Sequence, residues 1–231
     1  LCRSADDAAM VFYYMKGTDG KDASAVDRAF NYNEKRDIRQ MRVAYAANYF
    51  KRLKPDAAEW KMLDQLKSLG VHLQPVDFPD SAVYPFDIMG IVLNAESSAA
   101  FDELTRSNRD DLIIRQDKNF WPNIFRSGRL IPAVEYINAN RFRSQLIEKV
   151  NAFMRQYDAV IVPTFMGRQL SITNLTGHPV LVMPDGFSSH GTPLSITFIG
   201  NLYDEASILE LGKAYQHATE WNKKHPEKFM Q

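Results

Sequence analysis

Ser188, Ser189 and His190 stand together between Gly186 and Gly191. A hydroxyl beside an imidazole, framed by glycines that let backbone N–H groups come close, is the material of a nucleophilic site. Phe187 interrupts that frame ahead of the serines, and the segment fits a loop between two strands, so a turn is the expected role. Ser97-Ser98 is surrounded by apolar residues at helical spacing and reads as small residues packing one helix on another. Ser171, His178 and Asp185 have the types for a relay, but no Gly-x-Ser-x-Gly elbow supports them. His178, between Gly177 and Pro179, reads as a loop or core histidine. His72, His190, His217 and His225 are scattered, with neither cysteine partners nor a His-Glu-x-x-His pattern, so no metal site is expected. Cys2 is the one cysteine; it cannot form an internal disulfide and reads as a buried or near-buried thiol without chemistry.

Binding residues are sought where strands end. Thr173 and Asn174 close a turn before the apolar run Val180–Met183, and their side chains either bond local backbone or face a pocket. Arg168 is suited to a carboxylate, or is a plain exposed arginine. Trp121 and Phe125 either wall a pocket or make a hydrophobic contact. The mixed charges of Arg106–Lys118 read as a solvated helix surface.

The elements that must position these residues follow from spacing and punctuation. Ser4 is a good N-cap, with Asp7 three residues on, and Ala8, Val11, Phe12 and Met15 form a stripe that Gly17 ends. Residues 39–46 read as a short strand, Pro55–Gly70 as a helix, and Val71–Phe78 as a strand whose internal proline puts it at an edge or an end. Strand, helix, strand in this order suggests a parallel βαβ unit. Helix is expected from about Phe86 to Arg106. A long amphipathic helix is expected over Ile131–Tyr157, with Tyr136, Ile137, Phe142, Leu146, Val150 and Phe153 inward. Strands are expected at Asp158–Pro163, Pro179–Pro184 and Thr192–Gly200, then a final helix capped by Asp204. The unalternated run Val180-Leu181-Val182-Met183 is the pattern of a central strand covered on both faces, its pairing bounded by the two prolines. The fold class is α/β, a mixed β-sheet flanked by helices.

Lys+Arg and Asp+Glu both number 28, so neither a basic surface for nucleic acid nor an acidic tail is present. No apolar run reaches the roughly 20 residues of a membrane helix, and no signal peptide is visible. A small-molecule partner is therefore expected, with no nucleic acid and no membrane.

Four stretches, in order, carry a likeness. "LCRSADDAAMVFYYMKGTDGKD", with its R-S-x-x-D-A-A helix start, resembles the segment just after the catalytic loop of amidase signature enzymes. "IPAVEYINANRFR" is similar to that family's tyrosine-containing helix, and "YDAVIVPTF" to its Y-D-x-x-x-x-P-T strand. "TNLTGHPVLVMPDGFSSHGTPLSITFIGNLYDEASILELGKAYQ" is similar to its C-terminal core. Glu96 matches the family's helix acid.

The resemblance implies an α/β/α domain around a large mixed sheet, hydrolysis of a carboxamide by Ser–cis-Ser–Lys chemistry, and no cofactor. The family's catalytic residues lie upstream of the segment where Leu1 stands. Residues 1–231 are thus expected to be a single partial domain, the C-terminal half, with no catalytic residue of its own. Leu1 in place of Met, with a helix almost at once, reads as the middle of something longer; a cytoplasmic parent is favoured. The resemblance places Thr173 and Asn174 beside the catalytic serine and assigns Phe165 and Arg168, after the Pro163 strand, to the substrate pocket; the wall that Trp121 and Phe125 could form, if they do not make a plain hydrophobic contact, would be on the acyl side of a pocket. In the tRNA-dependent amidotransferase relatives an acidic residue near Pro163–Asn174 contacts substrate; here that stretch has no Asp or Glu. Two alternatives stand beside the amidase: the amidase-like component of such an amidotransferase, and a non-catalytic binding or oligomerisation module. An isolated half domain would expose strand edges and apolar surface, so self-association as a homo-oligomer, or a sheet that closes differently, is expected.

Overall fold

The computed structural model describes residues 1–80 and 88–226. The chain divides into two compact units, Leu1–Asp80 with Val150–Gln231, and Ser81–Lys149. The helices are α1 Ala5–Met15, α2 Ala47–Phe50, α3 Ala58–Ser68, α4 Ile88–Ala100, α5 Asp102–Arg106, α6 Trp121–Gly128, α7 Ala133–Met154, α8 Gln169–Thr176 and α9 Glu205–Thr219. The strands are β1 Val43–Ala46, β2 Leu73–Val76, β3 Ala159–Pro163, β4 Val180–Phe187 and β5 Pro193–Ile199.

The first unit holds a five-stranded mixed sheet in the order β2-β1-β3-β5-β4. β1 pairs in parallel with β2 and β3, as the βαβ reading requires. β5 lies antiparallel to β3 and β4. β2 carries Pro75 at an edge, where a missing N–H costs no ladder bond. β3 is the strand buried on both faces, every residue from Ala159 to Pro163 being inside. A core of Met62, Leu63 and Leu66 from α3 and Ile208, Leu211 and Tyr215 from α9 packs with Ile161, Met183, Ile196 and Phe198 of the sheet. The final helix starts as its sequence dictates: Asp204 accepts from the Ser207 N–H and hydroxyl.

Several expectations are corrected. β4 is an edge strand and not a central one, and its outer face is wet: Val180 is 43% and Val182 50% exposed. Strand order decides which apolar strand is covered, and no local pattern reports it. Pro184 does not end the pairing; β4 runs on to Phe187 through a register shift between Pro184 and Phe187. In α1, Ser4 does cap, accepting from the Asp7 N–H, but the buried residues are Ala5 and Ala9, while Val11 and Met15 are exposed. Along α7, Ile137 and Phe142 are exposed, and Ala139, Leu146, Val150 and Met154 are buried. Cys2 is exposed, not buried. Arg109–Leu112 forms a 3₁₀ turn instead of continuing a helix, and Asp110 is buried against Arg126, 2.6 Å away. The expected helix start at Phe86 lies outside the described residues.

In the second unit α4 and α6 meet through small residues. A Cβ on Gly128 would fall 2.2 Å from Ser98 Oγ, and that hydroxyl donates to the Asn94 carbonyl. Ser97-Ser98 is therefore a packing feature, as expected. Glu96 accepts from the Tyr136 hydroxyl at 3.0 Å and lies 3.8 Å from Arg143. Among the described residues no helix is long and apolar enough to cross a membrane.

Candidate functional site

The carboxyl ends of β1, β2 and β3 point one way because the three are parallel. In open α/β sheets that edge is where ligands bind. β5 is antiparallel, with Ile196 opposite Pro163, so Ser195 lies level with the residue after β3, Thr164. The Ser195 and Thr197 hydroxyls both donate to Thr164 Oγ1, each at 3.1 Å. Ser195 and Thr197 share a face through the two-residue period of a strand. Gln169, at the start of α8, donates its amide N–H to the Thr164 carbonyl. Its Oε1 is buried with no hydrogen-bond partner among the described residues. This gives a rim of largely buried hydroxyl and amide groups at one sheet end, bonded mainly to one another, with Gln169 Oε1 left over as an acceptor.

α2 and the β3–α8 connection close on each other there. The Arg168 N–H donates to the buried Tyr49 hydroxyl at 3.3 Å. Burial, with Asp80 nearby, pushes the Tyr49 hydroxyl well above its ordinary value. Gly167 has φ +63°, and a Cβ on it would sit 2.3 Å from Tyr49 Cε1. Gly167→Ala should therefore lose about 2 kcal/mol of stability through a ring shift and a disfavoured backbone. A denaturant melt of the variant checks this; an unchanged midpoint contradicts the contact.

The sequence-predicted residues separate into two sets. Phe165 and Arg168 sit on the exposed turn after β3, and Thr173 and Asn174 follow in α8. The turn expected at Thr173-Asn174 is a helix. Its polar side chains satisfy themselves within it: Thr173 donates to the Gln169 carbonyl, Asn174 to Leu170 and Thr176 to Ile172. Of the two readings of Thr173 and Asn174, local backbone bonding is the one these contacts express. Gly177, at φ +78°, ends the helix. Trp121 and Phe125 belong to the other unit, where their rings stack at 5.6 Å and Phe101 stacks on Phe125 at 4.8 Å.

Ser188-Ser189 forms the expected turn. Ser188 Oγ accepts from the His190 and Thr192 N–H groups, and Gly191 bonds back to the Ser188 carbonyl. Ser171, His178 and Asp185 form no relay, since His178 pairs with Thr176 and Asp185 with Tyr215. The Thr176 hydroxyl donates to Ile172, so it accepts from His178 Nδ1–H, which leaves Nε2 a bare lone pair. That nitrogen is buried without a partner, and burial pushes His178 down to about 4. Asp185 is pushed up to about 6 by burial, against the Tyr215 hydrogen bond and with Glu59 adding to the rise. Sequence reasoning missed Tyr49, Thr164, Ser195 and Thr197. The alternation in "PLSITFI" would place the last two on one face, and the Pro-Thr step would mark the end of β3.

A mixed-sheet α/β protein with a polar rim at the carboxyl edge of its parallel strands is the class these features define. The family model described as Amidase matches residues 1–173, and the chain belongs to that family. It is 28% identical to an amidase of Pseudomonas putida over 258 residues, covering 98% of this chain and 54% of the relative. It is 27% identical to the A subunit of the glutamyl-tRNA(Gln) amidotransferase of Roseiflexus castenholzii over 271 residues, covering 98% and 55%. The peptide amidase of Stenotrophomonas maltophilia shares the fold with a TM-score of 0.75 at 21% identity, over 97% of this chain and 53% of that one. The chain thus spans about half the length of the relatives it matches.

Proposed function

We propose that residues 1–231 are the C-terminal part of an enzyme that hydrolyses a carboxamide to a carboxylate and ammonia or an amine. The observation that carries this reading is the Amidase match over residues 1–173. In this reading the chain is one partial domain, and a Ser–Ser–Lys set encoded ahead of Leu1 supplies nucleophile and proton acceptor. The chain's own part is positioning. The Thr164–Ser195–Thr197 hydroxyls and Gln169 hold the sheet end rigid, and Phe165 and Arg168, on the exposed turn after β3, line the approach to it. The wet face of β4 fits the same reading, because an apolar edge strand is a surface for further structure to cover. The test is hydrolysis of a simple aryl amide such as 4-nitroacetanilide. The 231-residue chain alone should show no turnover, and the same chain joined to its preceding coding sequence should show it. Turnover by the isolated chain that Ser189→Ala abolishes would overturn the proposal.

A second reading, a component of an amidotransferase that works on a misacylated tRNA, is favoured by the match to proteins of that name over 98% of this chain. The stretch between Pro163 and Asn174, with no Asp or Glu, weighs against it. Glutaminase activity of the longer protein in complex with partner proteins would decide for it.

A further inference from the structure

A cavity of about 320 Å³ lies where the β4 irregularity meets α3 and α9, bordered by Asp185, Phe187, Tyr215 and Trp221. Asp185 is 5% exposed. Its Oδ1 accepts from the Tyr215 hydroxyl at 2.6 Å. Its Oδ2 is buried and has no hydrogen-bond partner among the described residues. A carboxylate oxygen left in that state is costly unless a donor reaches it. The walls beside it are aromatic: Phe187 meets Trp221 edge to face at 6.1 Å. Trp221 already accepts a cation, the Lys224 ammonium lying 3.9 Å from its ring centroid. A carboxylate with a free acceptor, set among ring faces, has the chemistry that recognises an organic cation.

We propose that this cavity binds a small primary alkylammonium ion, which donates to Asp185 Oδ2 and packs its alkyl chain against Trp221. The ring lies over Gly186, where a Cβ would sit 3.4 Å from Trp221 Cζ2. Oδ2 is closed off, so the ion must shift part of the cavity wall to reach it; Trp221 borders that cavity, and its emission reports the event. The carboxyl must be ionised to accept the ion, and burial holds Asp185 at about 6, so affinity falls below that pH. Glu59 and Lys61 on α3 and Tyr215 on α9 are the other titratable groups facing it. This inference is independent of the amide reading.

The experiment is calorimetric titration of the 231-residue chain with n-butylammonium chloride at about pH 7.5, with n-butanol as the neutral control, and Trp fluorescence in parallel. Saturable binding with a Kd on the order of 1 mM is expected for the ammonium and none for the alcohol. Asp185→Asn should weaken it about tenfold or more, and Trp221→Leu about threefold with loss of the emission change. Circular dichroism confirms that each variant is folded. Absence of saturation with the parent chain, equal response to butanol, or unchanged affinity in folded Asp185→Asn each overturns the proposal.

Discussion

Replacing His178 with glutamine should shift stability relative to the parent by about 3 kcal/mol in the variant's favour between pH 7.5 and pH 4. His178 is 4% exposed and donates from Nδ1 to Thr176, leaving Nε2 with no acceptor for a second proton. Protonation would bury an imidazolium with one N–H unsatisfied, so burial pushes the group down to about 4. A histidine ordinarily titrates near 6.5, and the unfolded chain does so. The fold therefore holds the full benefit of the neutral ring above about pH 6.5 and loses it as pH falls through about 4. Glutamine keeps a donor and removes the titration. Denaturant melts of both proteins across this range check the result; parallel curves would mean that His178 titrates normally.

Asp185→Asn should do the opposite, gaining about 3 kcal/mol on the parent as pH rises from 3.8 to 7.5. Here burial raises the carboxyl to about 6, so the protonated form suits the fold. The stabilising contribution of that form is complete below about pH 3.8 and is lost as pH rises through about 6. Asparagine retains an acceptor for the Tyr215 hydroxyl and carries no charge. The two windows overlap between about pH 4 and 6 with opposite signs. The parent should be nearly flat there as far as these groups are concerned. His178→Gln should become more stable towards acid and Asp185→Asn less stable, and the double variant should lose both slopes, keeping only the acid-ward gain of Glu205, whose carboxyl burial raises. Asp158, against the cost of its burial, is held below the usual carboxylate range by Arg42, and Asp6, likewise, by Lys213. Their losses fall below pH 3.8, outside this window. A double variant that retains either slope would assign the titration to another group.

Both groups show how far the residues could be read in advance. A loop or core histidine was legible in the place of His178 between Gly177 and Pro179. Its tautomer was not, because that depends on Thr176 spending its proton on the Ile172 carbonyl. Asp185 had the type for a relay that no motif supported, and its Tyr215 partner lies 30 residues on, across a strand and a helix contact.

Local chemistry was enough to locate β1, β2, β3, β5, α3 and α9, since caps, prolines and apolar period act within one element. It also sufficed for the parallel βαβ unit, for the turn at Ser188–Gly191 and for the likeness to the amidase family. α8 escaped because threonines and asparagines disfavour helices unless their side chains bond back to the preceding turn, as they do here. Only the tertiary structure decided which faces are covered. An apolar run such as Val180–Met183 states that it is compatible with burial, and the number of neighbours it receives is set by strand order. The same holds for α1 and α7, whose apolar residues outnumber the places that packing gives them. The hydroxyl rim at Thr164, Ser195 and Thr197 is likewise made by an antiparallel register, which brings together residues more than thirty positions apart.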